Sequence, residues 1–234
     1  MTDAVSTLFS AEADKWEERY RHRFFQDRLD VLDRWLDRHC QQPIHRAIDI
    51  GCGTFPMEAV FKRHGLAAIG LDASREMVSV ARGLGRDAVH YSGGTIPFDD
   101  QSFDCAILIN VLEFVADARH LIREIARISR PSSAVLLTFT NFQSPFRRVA
   151  RRLNRWATRG RNDEPAYIVS KYRYAAIEAL LHEAGFVDIR VFRHSLPWAH
   201  DKLFWWLPEF VIDVLFRNNL FSDVIYVEAT KASA

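Results

Sequence analysis

Cysteine, lysine and long apolar runs are all scarce in this 234-residue chain, and each scarcity removes a class of explanation. Three cysteines, Cys40, Cys52 and Cys105, show no Cys-x-x-Cys or Cys/His spacing, so neither a disulfide framework nor a zinc site is expected, and no other metal set is read. The 31 basic and 30 acidic residues leave a net charge of +1, which gives no global field for wrapping nucleic acid, and no nucleic-acid partner is expected. Only Lys15, Lys62, Lys171, Lys202 and Lys231 are lysines, so the basic character is carried by arginine. The most apolar stretch, Leu203 to Phe216, is interrupted by Pro208, Glu209 and Asp213 and falls short of the roughly 20 residues a transmembrane helix needs. The start, MTDAVSTLFSAEADKW, lacks a basic residue followed by an apolar stretch, so no secretory signal is read and the expected location is cytoplasmic.

What is present is material for a core. Hydrophobic residues make up 48% of the chain, enough for one domain spanning residues 1–234 that hides about 70–75% of its unfolded surface. From Arg46 to Thr140, short apolar runs (AIDI, AAIGLD, DAVHY, DCAILIN, AVLLTFT) alternate with amphipathic stretches, the pattern of a parallel sheet with crossover helices. Ser74 is placed to cap a helix carrying Met77, Val78 and Ala81, and Gly65 to end the helix before it. Upstream, Trp16 to His39 sets Phe24, Leu29, Val31, Leu32 and Leu36 at largely helical spacing, predicting a helical N-terminal layer. Downstream, AAIEALLHEAGF reads as a helix, and VDIRVF and VIYVEAT as strands able to pair as a closing hairpin. The segments 141–169 and 194–223 do not look like sheet and are expected to be insertions that select substrate.

The first strand runs into Gly51-Cys52-Gly53-Thr54, and Asp72 ends the second strand 21 positions after Gly51. Glycines let the backbone approach a ligand above the strand ends, and an acid on the second strand can accept from ribose hydroxyls. A dinucleotide loop would need glycine where Pro56 stands, so pyrophosphate binding is disfavoured. Tyr167 and Lys171 fit the Tyr-x-x-x-Lys pair of short-chain dehydrogenases, but the glycine loop of those enzymes is missing, and the match is read as chance.

AIDIGCG, GLDAS and IPFDDQSFDCAILINVLEFV resemble the class I S-adenosylmethionine-dependent methyltransferases, especially the small-molecule branch that includes quinone methyltransferases, over about residues 46–140. The resemblance implies a Rossmann-like, doubly wound, seven-stranded sheet, mostly parallel with one antiparallel strand, and S-adenosylmethionine as cofactor. It implies that Asp49 orients the glycine loop and the cofactor's amino group, that Gly51, Cys52 and Gly53 pass under the methionine part, and that Asp72 holds the ribose. Ala73 and Met77 match positions lining the adenine, and Asn110 one facing the methionine end. Three departures stand out. Phe55 replaces a third glycine, Ser92 replaces an aspartate and leaves Ser92 and Gly93 as adenine contacts, and Phe114 replaces a histidine that relatives carry after Leu-Glu.

Methyl transfer needs in-line orientation more than it needs a base. Should the acceptor be a hydroxyl, Glu113, His194 and His200 are candidates to take its proton, each set against a packing or surface role. Arg147, Arg148, Arg151, Arg152, Arg155 and Arg159 fall on one side of a helical wheel and Val149, Ala150, Leu153 and Trp156 on the other, with no acid from Ile125 through Asn162. Two readings stay open: a cap helix packed by its apolar face with solvated arginines, or an anionic membrane surface met by the Arg147–Arg159 helix, which would make the protein peripheral on the inner face of a membrane. Trp198, Phe204, Trp205, Trp206 and Phe210 add aromatic area that fits a lipid-like acceptor. The expected activity is therefore methyl transfer to a small-molecule or lipid-like acceptor. The alternatives are an enzyme of the same fold that uses the cofactor without giving up its methyl group, and a non-catalytic cofactor-binding module.

Overall fold

The computed structural model describes residues 3–21, 23–39, 46–145, 147–149, 152, 156, 168–195 and 224–233. Seven strands form one sheet in the order β3-β2-β1-β4-β5-β7-β6. They are β1 (Arg46–Ile50), β2 (Ala67–Asp72), β3 (Ala88–His90), β4 (Phe103–Leu108), β5 (Ser129–Thr140), β6 (Phe186–Ser195) and β7 (Val224–Lys231). Only β7 runs against its neighbours, pairing antiparallel with both β5 and β6, so the hairpin read from VDIRVF and VIYVEAT is present. The sheet order reverses between β1 and β4, which opens a crevice above their carboxyl ends, the place where open α/β sheets bind ligands.

The strands are apolar on both faces because helices cover both. Ala47, Cys105, Ile107, Ala134, Leu136 and Tyr226 pack on one side, and Ile48, Ala106, Leu108, Val135, Leu137 and Val227 on the other, the two-residue alternation of a pleated strand. The first face is covered by α3 (Arg23–His39), α4 (Glu58–Arg63) and α5 (Arg75–Gly83), through Val31, Leu32, Leu36, Phe61 and Val78. The second is covered by α6 (Ala118–Ile128) and α7 (Tyr174–Glu183), through Leu121, Ile125, Ile177 and Leu181. Ser74 caps α5 by accepting from the Met77 N–H at 3.1 Å, as expected, and Asp117 caps α6 through His120 at 2.9 Å. Gly65 ends α4 in the left-handed region, at φ +71°.

The N-terminal layer is broken where one helical stretch was expected. Helix α1 (Asp3–Ser10) leads into a short turn and α2 (Trp16–Arg19), and the chain turns at Tyr20 and Arg21 before α3. At the break, the Tyr20 and Arg21 N–H groups bond back only three residues, to Glu17 and Glu18, the tightening of a helix end. The tilted contact of the Tyr20 and Phe25 rings at 5.0 Å closes the corner. Trp35, which the sequence pattern did not single out, is fully buried on α3 and donates its indole N–H to Glu228 of β7 at 3.0 Å.

His194 and Ser195, expected to open the second insertion, instead continue β6 opposite Ile225 and Val224, and the rest of that insertion, 196–223 with Trp198, His200, Phe204, Trp205, Trp206 and Phe210, lies outside the described residues, as does Cys40. In the earlier insertion Ser144 accepts from the Arg147 N–H at 3.2 Å and starts a helical stretch. Of the apolar side of that stretch only Val149 and Trp156 are among the described residues, and Ala150 and Leu153 lie outside them. Val149 is 59% exposed and Trp156 84% exposed, while Arg147 of the basic side is half-buried over the Phe142 ring. Among the described residues no helix is long and apolar enough to cross a membrane.

Candidate cofactor site

The glycine loop owes its shape to space that only glycine leaves. Gly51 sits at φ +76°, and a Cβ there would fall 2.4 Å from Val111 Cγ2. Gly53, at φ +58°, would place its Cβ 2.7 Å from Trp16 Nε1. Asp72 fastens this loop from the next strand, its two oxygens accepting from the Gly53 N–H at 2.7 Å and the Ser74 N–H at 2.8 Å. Phe55, in the place of a third glycine, also adopts a left-handed conformation, φ +58°, and is fully buried. The loop therefore keeps the backbone a glycine would give and adds a ring.

Two cavities open on the loop and share Gly51, Asp72 and Val111. The first, about 230 Å³, is lined by Ala73, Ser92, Gly93 and His120, among others. The second, about 260 Å³, is bounded by Cys52, Gly53 and Asn110 on the sheet side and by Phe9, Trp16, Tyr20, Phe25 and Arg28 from the N-terminal layer, with Phe114 beside them. Ala73 and Met77, expected together beside the adenine, open onto different cavities, Ala73 onto the first and Met77 onto the second. Asn110 is held at φ +56° with its N–H on Thr138 Oγ1 at 2.8 Å.

Charge is arranged asymmetrically here. Asp49 and Asp72 are both buried, and burial together with the Asp72 charge pushes the Asp49 carboxyl well above the usual range. Asp72 is also raised by burial, against the pull of the N–H groups of Ser74, Gly53 and Ala73. The Cys52 thiol is raised by burial and then by the two aspartates, so it stays protonated. On the opposite wall Tyr20 hydrogen-bonds Arg28, and burial pushes its phenol up to about 12. Asp72 borders both cavities whereas the buried Asp49 lines neither; a carboxylate on one side and N–H and O–H donors on the other fit a ligand carrying both a cation and an anion, and the cradle at Gly51 fits close passage of its chain.

Glu113, one of the three candidate bases, is not brought to these cavities. Glu113 is buried and lines neither; its Oε1 accepts from the Thr140 N–H at 2.5 Å, and its carbonyl accepts from Val169 and Ser170, so it ties the returning chain to the end of β5. His194 lies in β6 opposite Ile225, and His200 lies outside the described residues. Sequence reasoning missed Trp16, Tyr20, Phe25 and Arg28, whose signal, the aromatic and basic residues of KWEERYRHRFFQDR, was read only as helix periodicity.

Residues 48–137 match the profile of a family described as "Methyltransferase domain". An uncharacterized methyltransferase of Mycobacterium leprae is 28% identical over 237 residues, covering 91% of this chain and 85% of that protein. A crystal structure from Thermotoga maritima, described as a SAM-dependent methyltransferase and possible histamine N-methyltransferase, superposes with a TM-score of 0.66 at 19% identity, over 96% of this chain and 99% of that one. The magnesium protoporphyrin IX methyltransferase of Synechocystis with bound SAH gives 0.62 at 17% identity, over 89% and 84%.

Proposed function

The chain belongs to the class I S-adenosylmethionine-dependent methyltransferases, and from that premise we propose that it methylates a lipophilic small molecule presented at an anionic membrane surface. When bound, S-adenosylmethionine supplies a methyl group on a sulfonium sulfur, reactive enough that orientation and water exclusion provide much of the acceleration. In this reading Asp72 accepts from the ribose hydroxyls, and Ala73, Ser92 and Gly93 bound the adenine in the first cavity. Gly51, Cys52, Gly53, Met77 and Asn110 flank the methionine part in the second cavity, its amino cation facing Asp49 and its carboxylate facing Tyr20 and Arg28. Tyr20, neutral at physiological pH, serves as a donor and not as a base. No histidine or glutamate is among the described residues lining the second cavity, so the reading places the work in positioning the acceptor between Phe9, Phe25 and Phe114.

The observation that carries the membrane part is the pairing of exposed Val149 and Trp156 with exposed Arg148 and Arg152 on one short stretch. Apolar side chains left open beside arginines suit the boundary between acyl chains and anionic headgroups, with the protein peripheral on the inner face. With methyl-labelled cofactor and cell lysate, label is expected in the organic extract. Label confined to the aqueous phase would remove the lipophilic acceptor. Cofactor binding with no incorporation at all would favour an enzyme that keeps the methyl on the cofactor.

A further inference from the structure

Trp16 lines the second cavity, and beside it the indole N–H, turned onto Gly53, is an unanswered donor. Its indole Nε1 is closed to solvent and has no hydrogen-bond partner, although the half-buried ring packs edge-on to Phe9 at 5.7 Å and Phe25 at 6.2 Å and under the Arg19 guanidinium at 4.8 Å. A buried N–H without an acceptor is costly, and at a cavity wall the natural acceptor is a ligand. The nitrogen faces the glycine loop at Gly53.

Its position is fixed by the next residue. Glu17 accepts from Thr54 Oγ1 at 2.5 Å and from the two terminal nitrogens of Arg86 at 2.6 and 3.1 Å, and Arg86 also donates to the Thr54 carbonyl at 2.8 Å. Those charge-assisted bonds hold the Glu17 carboxyl below its usual range and bolt α2 to the residue that follows Gly53. Donors thus converge from the N-terminal layer, Trp16 with Tyr20 and Arg28, while the buried carboxylates Asp49 and Asp72 lie on the sheet side.

We propose that Trp16 donates its indole N–H to the carboxylate of the bound cofactor above Gly53, and that this bond joins the N-terminal helices to the loaded site. The inference rests on the cofactor orientation read above. It makes the wall of the acceptor chamber, Phe9 and Phe25, complete only once the cofactor is in place, so the cofactor binds before the acceptor.

The test compares S-adenosylhomocysteine with its analogue lacking the carboxylate, by calorimetry on the wild-type protein and on Trp16→Phe, which keeps an aromatic ring and loses the N–H. The variant is expected to bind S-adenosylhomocysteine about ten-fold more weakly and the decarboxylated analogue as the wild type does. In the wild type, amide-exchange protection of residues 3–21 should rise with S-adenosylhomocysteine and much less with the analogue, a readout that needs no variant. Equal weakening for both ligands would reduce Trp16 to packing and overturn the proposal. So would unchanged cofactor binding with a raised acceptor KM, which would assign the N–H to an acceptor oxygen. Failure of the wild type to bind either ligand would overturn the cofactor reading itself, and this inference with it.

Discussion

Phe55 and Gly70 are cut to each other: a Cβ at Gly70 would lie 3.1 Å from Phe55 Cγ and 2.5 Å from Cys52 Sγ. The ring that replaces a glycine in the loop therefore occupies room surrendered by a glycine in β2. Phe55 also carries the cost of a left-handed backbone, about 1–2 kcal/mol for a residue with a Cβ. Removing the ring should lose about 3–5 kcal/mol of packing while recovering that strain. Phe55→Gly is thus expected to lower unfolding free energy by roughly 1–4 kcal/mol, and Gly70→Ala by about 1–3 kcal/mol through overpacking, both measured by urea denaturation. A more stable Phe55→Gly protein would mean that the strain outweighs the packing.

The sheet and the loop were legible in the sequence because their signals are local. Continuous apolar runs, Ser74 ahead of Met77, and Gly51, Gly53 and Asp72 at fixed spacing each follow from backbone needs within one strand-turn-helix unit. The N-terminal wall was not legible, since the contacts of Trp16 with Gly53 and of Phe9 with Phe114 join residues tens of positions apart, and both depend on a break at Tyr20 that periodicity does not encode. Glu113 looked like a candidate base because residue type says nothing about which way a carboxylate points; its partner, the Thr140 N–H, is set by the end of a strand 27 residues on.

Asp72 already receives the backbone N–H groups of Gly53, Ser74 and Ala73 and keeps a further lone pair for the ribose hydroxyls. Asp72→Ala should weaken S-adenosylmethionine binding about ten- to a hundred-fold, from the loss of about 1.5–3 kcal/mol of charge-assisted hydrogen bonding. Because the same side chain holds Gly53, the folded state should be checked by its melting profile. Unchanged calorimetric affinity in a folded variant would move the ribose elsewhere.

The raised carboxyl of Asp49 links the cofactor site to pH. An acid whose folded pKa lies above its unfolded value binds more protons when folded, so the ligand-free protein should lose stability as pH rises from the ordinary carboxylate range through the raised value. A cationic amino group beside Asp49 favours the ionised form, so cofactor affinity should rise over that same window, with a proton released on binding. Calorimetry in buffers of different ionisation enthalpy measures the release. Asp49→Asn should bind weakly at every pH and release none, and a wild-type affinity that falls with pH would contradict the assignment.

Membrane attachment through the arginine stretch should depend on salt, because each arginine near an anionic bilayer contributes about 1 kcal/mol and that attraction decays over about 8 Å at physiological ionic strength. The wild type should float with anionic vesicles and leave them as salt rises. Arg148→Gln with Arg152→Gln should remove about 2 kcal/mol of attachment, and Trp156→Ala should weaken it further without changing the salt slope. Equal flotation on neutral vesicles, or none on either kind, would return the stretch to solvent.

Phe114 decides what the missing histidine has been exchanged for. Its ring meets Phe9 edge-on at 5.4 Å, Phe9 meets Trp16 in the same way, and all three line the second cavity. An imidazole there would offer a proton acceptor, whereas the phenyl ring offers apolar area and excludes water from the methyl end. Truncating it should therefore raise the acceptor KM and spare the cofactor, which is gripped by the loop and the two aspartates. Burial of a large aromatic contributes about 1.5–3 kcal/mol, so Phe114→Ala is expected to raise that KM about ten-fold or more and to leave the S-adenosylhomocysteine dissociation constant within about two-fold. Phe114→His separates shape from chemistry, since it keeps a ring and adds the base. A gain in kcat that follows deprotonation of the imidazole would show that the acceptor carries a removable proton, while a flat pH profile would show that its nucleophile is already free.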